Sequence, residues 1–124
     1  MGGSTYSRKK RKVEPSKREP DVVNAANFFR DIIPENPTWA TEKIKHPYDI
    51  KQIPLDKLYS TRRKIPYSDV QREQNAHETM SDYEPITVIK RDKKYIVTSG
   101  MDRVIALISK GYKKIKARIY DMDN

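Results

Sequence analysis

The chain has no cysteine and only two histidines among its 124 residues. Without thiols it forms no disulfide and no cysteine-ligated metal centre, and catalysis by a nucleophilic cysteine is excluded. His46 and His77 are far apart in sequence and have no cysteine neighbours, which argues against a structural zinc site. The lack of cysteine also fits a reducing compartment.

The chain also has no long apolar run, and hydrophobic residues make up only 35% of it. No stretch suits a bilayer span or a signal-peptide core, so we expect a soluble cytoplasmic, nucleoid-associated protein, or a nuclear one if the host has a nucleus. The length accommodates one small domain with extensions. No P-loop, dinucleotide glycine pattern or Ser-His-Asp set occurs.

Positive charge is what the chain has in excess, with a net charge of +9. Among the first twenty residues, seven are basic and two are acidic. This composition predicts a flexible basic arm over residues 1–20 that neutralises the phosphates of DNA or RNA. The alternatives are a nuclear-import signal at residues 9–13 and a solvated tail. The block that would contact nucleic acid is consecutive: Arg8, Lys9, Lys10, Arg11 and Lys12.

Residues 21–47 show a different pattern. Apolar residues recur every three or four positions from Val22 to Ile33, which predicts an amphipathic helix that ends at Pro34. Phe28, Phe29 and Trp39 are concentrated here and should be buried. We expect this segment to dock on the domain that follows. The alternative is a protein interface with a second copy or a larger partner.

The most regular pattern lies in residues 84–121. It predicts a strand from Pro85, a hairpin loop over residues 91–94, a strand over residues 95–98, an apolar helix stopped at Gly111, and a last strand. The helix begins after Ser99 and Gly100, and the free N–H groups of a helix start suit a phosphate or carboxylate. Arg103 would add a contact to the same anion. Alternatively, Ser99 or Asp102 only caps the helix and Arg103 only pairs with a neighbouring carboxylate.

Residues 68–80 are almost entirely polar and predict a surface helix that carries His77. The weak catalytic candidates follow it and are all carboxylates. Asp82 and Glu84 lie on one face if the chain is extended there, and Asp102 would complete a divalent-cation site with them. Solvated loop charges are the simpler explanation for Asp82 and Glu84. For Asp102 the simpler explanation is a structural ion pair.

The order of these predicted strands, turns and helices resembles the pattern of the ParB/sulfiredoxin-like superfamily over about residues 48–121. The resemblance implies an α/β (α+β) domain over residues 48–124 with a small mixed sheet and surrounding helices. It also implies that phosphate or nucleotide is bound by Arg62, Arg63, Ser99, Gly100 and Arg103. The segments that carry the resemblance are Thr61-Arg62-Arg63, Pro85-Ile86-Thr87-Val88, residues 99–103 and residues 111–117.

The chain departs from its relatives inside the turn. Sulfiredoxins have a nucleophilic cysteine and a histidine where this chain has Met101 and Asp102, so sulfinic-acid reduction is excluded. Only Gly100 and Arg103 match the box of the partition proteins, which favours phosphate binding without CTP hydrolysis. Serine-kinase relatives have two histidines at these positions. Met101 and Asp102 replace them here, which argues against that kinase activity.

The sequence therefore predicts a nucleic-acid-binding protein of phage, plasmid or mobile-element type. DNA is the first expected partner and RNA the second, with a homodimer or a larger protein partner as further options and no membrane. No helix-turn-helix follows that would read a specific site. One alternative is a nucleotide-dependent enzyme, a nuclease, kinase or NTPase that uses a nucleoside triphosphate with Mg²⁺. The other is an adaptor subunit of a larger complex.

Overall fold

The computed structural model describes residues 13–76 and 83–123, which form a mixed α+β fold. A five-stranded sheet and a two-stranded sheet are combined with three helices in these residues, as the predicted fold class requires. No helix among them is long and apolar enough to cross a membrane. The strands are β1 (Val22–Asn24), β2 (Tyr48–Pro54), β3 (Leu58–Ser60), β4 (Lys64–Pro66), β5 (Ile86–Arg91), β6 (Lys94–Ser99) and β7 (Lys114–Asp121). The helices are α1 (Trp39–Ile44), α2 (Tyr67–Ala76) and α3 (Met101–Ser109).

The larger sheet has the strand order β2-β7-β5-β6-β3. β5 and β6 form the predicted antiparallel hairpin, and α3 carries the chain across to β7, which lies parallel to β5. The hairpin turn is tighter than predicted, because only Asp92 and Lys93 lie outside the strands. Their φ angles of 53° and 64° are left-handed, as the two-residue turn that best matches strand twist requires.

Helix α3 forms the centre of the main core. Val104, Ile105 and Leu107 have no solvent exposure, and the cluster around them includes Val88 and Val97 of the sheet. The helix is followed by Gly111 at φ 91°, a left-handed residue that ends it as the sequence predicts. Burial of this apolar helix fixes its first turn against the end of β6.

Helix α2 covers one side of α3. It confirms the prediction of a surface helix over the part of residues 68–80 that the structure describes. Val70 is fully buried, while Gln74 Nε2 donates a 2.8 Å hydrogen bond to Ser109 Oγ. The helix ends at Ala76, and the remaining predicted positions, with His77, lie outside the described residues.

The predicted helix over residues 21–33 is wrong. Val22–Asn24 is strand β1, which pairs antiparallel with β4, and Ala25–Asn27 is a short 3₁₀ turn. Adjacent β-branched valines favour a strand. Asn24 also diverts the backbone, because its Oδ1 accepts a 3.1 Å hydrogen bond from the N–H of Ala26. The apolar spacing thus reflects burial of an irregular segment against several neighbours.

Residues 13–20, which the sequence assigns to the basic arm, are docked on the fold. Val13 is only 6% exposed in the main core, and the N–H of Ser16 donates to the carbonyl of Val22 at 2.7 Å. Glu19 forms an ion pair with Lys64 of β4. The last eight residues of the predicted arm therefore belong to the fold.

The aromatic side chains before residue 40 dock on their own domain. Trp39 is 5% exposed and packs with Ile89 and Ile96 on the outer face of the sheet. Phe29 is 6% exposed in the main core, and Phe28 is partly buried against it. Docking, the first of the two alternatives, is what the structure shows. An interface through Phe28, Phe29 and Trp39 would have to use rings that are largely covered already.

Candidate functional site

The glycine turn lies between β6 and α3, where the sequence predicts it. Gly100 has φ +103°, and a Cβ placed on it would lie 2.5 Å from Cγ2 of Ile86. Glycine is therefore required here by backbone conformation and by packing, with or without a ligand. The first helical hydrogen bond runs from the N–H of Val104 to the carbonyl of Gly100 at 3.0 Å.

Neither Ser99 nor Asp102 caps α3 with its side chain. Gly100 occupies the capping position, which has no side-chain hydrogen bond, and Asp102 Oδ1 accepts instead from the N–H of Arg103 at 2.9 Å. Neither residue is therefore the N-cap, but Asp102 does satisfy the N–H of Arg103, one of the first-turn groups that lack a helical partner. Among the described residues, no capping side chain is seen for the N–H groups of Met101 and Asp102.

A shallow pocket of about 180 Å³ opens beside this turn. It joins the loop between β3 and β4, helix α2 and the start of α3. Three of the five predicted phosphate-binding residues, Arg62, Ser99 and Gly100, lie around it. The full lining is Arg62, Ile65, Asp69, Thr98, Ser99, Gly100, Met101 and Asp102.

The loop that carries Arg62 is held rigidly. Ser60, which is fully buried, donates through Oγ to the carbonyl of Arg62 at 2.6 Å and accepts from its N–H at 3.1 Å. Thr61 Oγ1 donates to the carbonyl of Val97 on β6 at 3.0 Å. This ties the loop to the strand that ends in the glycine turn. The Arg62 side chain is thus presented at the pocket by a fixed backbone.

Arg63 is the next residue, but it does not line the pocket. The carbonyl of Arg63 accepts a 2.9 Å hydrogen bond from the N–H of Ala25. Arg63 is exposed to solvent. Among the described residues, neither Arg62 nor Arg63 has an ion-pair partner. Both guanidinium groups are therefore free to contact an external anion.

Arg103 has a different role from these two residues. Its Nε donates to Glu73 Oε1 of α2 at 2.7 Å, and its Nη1 donates to the backbone carbonyl of Glu84 at 3.1 Å. The side chain is partly buried in this ion pair and does not line the pocket. The structure thus brings Arg103 to a neighbouring carboxylate, the alternative that the sequence left open.

Of the three carboxylates predicted to hold a divalent cation, Asp102 lines the pocket. Partial burial raises the pKa of Asp102 above its ordinary value, and the nearby Glu73 and Asp69 act in the same direction. Asp69 also forms an ion pair with Arg72 at 2.8 Å. Glu84 is exposed, and Asp82 lies outside the described residues. Residues 13–76 and 83–123 contain no group of three or more acidic or histidine side chains placed to hold a metal ion.

The basic block of the arm, Arg8, Lys9, Lys10, Arg11 and Lys12, lies outside the described residues. The structure therefore leaves its proposed contact with nucleic acid as a prediction.

Sequence reasoning missed a second pocket at the opposite end of β6. It is lined by Arg30, Lys57, Tyr59, Lys93, Lys94 and Tyr95. These residues come from three separate segments, so no local pattern announces them. The sequence feature that could have indicated this pocket is the presence of Lys57, Lys93 and Lys94 at or beside turns.

Sequence reasoning also missed an open part of the sheet. Tyr48 and Ile50 of the edge strand β2 are 50% and 53% exposed. The guanidinium of Arg118 lies over the Tyr48 ring at 5.2 Å, and the Tyr120 ring lies 5.3 Å from that of Tyr48. An aromatic and cationic surface therefore faces outwards at this edge.

Comparison of the chain with protein-family models and with curated proteins found no match.

Proposed function

We propose that this chain is a nucleic-acid-binding protein with a ParB-like domain, in which the glycine turn and its neighbouring arginines contact a phosphate. The observation that carries the proposal is Arg62, which is exposed and unpaired among the described residues and lies on a rigid loop beside the start of α3, with the unpaired Arg63 next to it. Guanidinium groups next to free helix N–H groups are suited to a phosphate oxygen. The sheet, the glycine turn and the helix after it follow the order that the family resemblance implies.

The size of the pocket favours a backbone phosphate over an enclosed nucleotide. Its 180 Å³ is below the range of about 300–1,000 Å³ in which ligand pockets enclose a small molecule. It has room for a phosphate group whose remaining atoms extend into solvent. That geometry suits a phosphate of a nucleic-acid strand. It is less suited to the alternative, a nucleotide-dependent enzyme that binds a nucleoside triphosphate with Mg²⁺.

The basic arm would supply further phosphate contacts. Five consecutive cations at Arg8, Lys9, Lys10, Arg11 and Lys12 neutralise backbone charge without reading sequence. Val13, the next residue in sequence, is buried in the main core, so the block directly precedes a docked residue. In this proposal the arm supplies affinity, while the turn fixes the register of the backbone.

The test is a double substitution, Arg62→Ala with Arg63→Ala, studied by DNA binding at several salt concentrations. Loss of two phosphate contacts should reduce the slope of log affinity against log salt by about two. The matched control is Lys51→Ala with Lys113→Ala, which removes the same charge from exposed positions away from the turn. Equal slopes for the two double variants would contradict a specific role for the arginines.

The adaptor function is a second candidate, and one observation favours it. Tyr48 and Ile50 are exposed on β2, an edge strand whose outer backbone groups have no partner strand within the described sheet. Such an edge is a common site for adding a strand from another protein. Ile50→Lys should then abolish complex formation while leaving DNA affinity intact, and unchanged complex formation would exclude this surface.

A further inference from the structure

The pocket at the start of β6 is lined mostly by positively charged residues. Its volume is about 310 Å³, and it is lined by four cationic residues and two tyrosines. Arg30, Lys57, Lys93 and Lys94 are all exposed, while Tyr59 and Tyr95 are partly buried. No carboxylate lies among these lining residues.

The fold brings three separate segments to this place. The N–H of Arg30 donates to the carbonyl of Leu58 at 2.8 Å, which holds residue 30 beside β3. β3 runs parallel to β6, with Leu58 opposite Tyr95, so both strands begin at the same end of the sheet. Lys93 lies in the left-handed hairpin turn directly before β6. These positions are therefore set by backbone pairing.

None of the four cations has an ion pair among the described residues, whereas Lys90 and Arg91 of β5 each do. The Asp123 carboxylate near Lys93 accepts hydrogen bonds from the backbone N–H groups of Asp92 and Lys93 at 2.7 and 3.0 Å. The bond from Lys93 and, to a lesser extent, the Lys90 and Lys93 charges hold the pKa of Asp123 below its ordinary value. Like charges gathered in one pocket repel, and a bound anion relieves that repulsion.

We propose that this pocket binds one nucleotide unit, with its phosphate held by the cations and its base against a tyrosine ring. The inference rests on the proposed function and deepens it, because it assigns a site for a single-stranded segment. Aromatic rings combined with a basic groove are the arrangement that holds unpaired bases. A volume of 310 Å³ is at the lower end of the range for enclosed small ligands, at about 300 Å³, and so fits one unit.

The two pockets lie at opposite ends of β6. The strand has six residues from Lys94 to Ser99, so its ends are separated by roughly 17 Å at about 3.4 Å per residue. Each nucleotide of an unpaired strand spans at least the rise of about 3.4 Å found in B-form DNA, so about five nucleotides are enough to connect the pockets. An oligonucleotide of that length or longer should therefore bind more tightly than a dinucleotide, because it reaches both sites.

The same chemistry is offered by a free nucleotide and by a nucleic-acid strand. The probes are therefore ATP, an oligothymidylate longer than the span, a DNA duplex, inorganic phosphate and a phosphotyrosine peptide. All are titrated against the full chain, with binding followed by fluorescence anisotropy or by competition. Trp39 gives a second readout, because Tyr59 packs against the cluster that contains this only tryptophan.

The test variant is Lys57→Glu with Lys94→Glu, and the control is Lys51→Glu with Lys113→Glu. All four lysines are exposed, so both pairs should fold, and both change the net charge equally. We expect the pocket pair to weaken oligothymidylate binding at least about tenfold more than the control pair. Tyr59→Leu should weaken oligothymidylate binding about fivefold or more and leave phosphate competition unchanged.

Each outcome decides the proposal. If ATP binds as tightly as the oligothymidylate and loses affinity in the pocket pair, the nucleotide site stands with a free nucleotide as its source. If the intact chain binds DNA and the pocket and control pairs weaken it equally, the inference is overturned while the proposed function survives. If phosphate or the phosphopeptide competes as well as a nucleotide, base recognition is refuted. If the intact chain binds no probe, both proposals fail.

Discussion

Gly100 is held in a left-handed conformation between Ile86 and the first turn of α3. Gly100→Ala should reduce the free energy of unfolding by about 2–5 kcal/mol, because strain at positive φ adds to a clash with the Ile86 side chain. Denaturant unfolding measures this, with the exposed neighbour Ser99→Ala as the control. A Gly100→Ala variant that is as stable as Ser99→Ala would contradict the packing argument.

Asp102 should make stability and phosphate binding depend on pH. Because its folded-state pKa is raised above 3.8, the folded state holds the proton more tightly than the unfolded state does. The stability that protonated Asp102 contributes is therefore lost as pH rises through the folded-state pKa. Asp102→Asn removes this dependence, so its stability relative to wild type should increase over that pH interval. It should also raise DNA affinity at neutral pH, since a negative charge leaves the pocket.

Urea unfolding across a pH series checks the stability part, and a binding titration at neutral pH checks the affinity part. Asp56→Asn is the matched control, because Asp56 is exposed and lies outside the pocket. A stability difference between wild type and Asp102→Asn that stays constant with pH would refute the assignment.

At the scale of elements, Arg103 joins α3 to α2 and to the segment before β5. Arg103→Ala should cost about 1–3 kcal/mol of unfolding free energy, because it removes an ion pair with the partly buried Glu73 carboxylate. DNA affinity should change little. The control is Arg72→Ala, whose exposed pair with Asp69 should contribute under about 1 kcal/mol. Strong loss of DNA binding without loss of stability would restore Arg103 to the phosphate site.

The β5–β6 hairpin places Lys93 at φ 64°, a conformation that glycine adopts at lower cost. Lys93→Gly should stabilise the protein by about 1 kcal/mol in thermal or denaturant unfolding. Lys94→Gly, at the first position of β6, should instead destabilise it. A destabilised Lys93→Gly variant would show that the lysine side chain contributes more than the backbone strain costs.

Local signals explain which elements could be predicted from the sequence. The hairpin, α3 and β7 have period-two and helical patterns that end at turn residues, and the structure places them accordingly. Residues 21–33 have helical spacing too, but Val22 and Val23 pair with β4, a contact that no local pattern reveals. Local sequence patterns were also insufficient for the candidate phosphate site. Arg62 was identified through a resemblance, whereas the partner of Arg103 depended on how α2 packs against α3.

At the scale of the whole molecule, the segment before β2 belongs to the same packed unit as the rest. Val13, Val23 and Phe29 share the main core with α3, and Trp39 covers the outer face of the sheet. The predicted division at residue 48 therefore separates residues that are packed together. This unit carries two sets of exposed cations, Arg62 with Arg63 at one end of β6 and the lysine-rich pocket at the other.

The most direct test of nucleic-acid binding is the salt dependence of DNA affinity for the intact chain and for Lys9→Ser/Lys10→Ser/Arg11→Ser. We predict that log affinity falls linearly with log salt, with a slope that corresponds to about five or more phosphate contacts. The triple variant should reduce that slope by about three and still bind through the described cations. No binding by the intact chain at low salt, or affinity that does not change with salt, would contradict the proposed function.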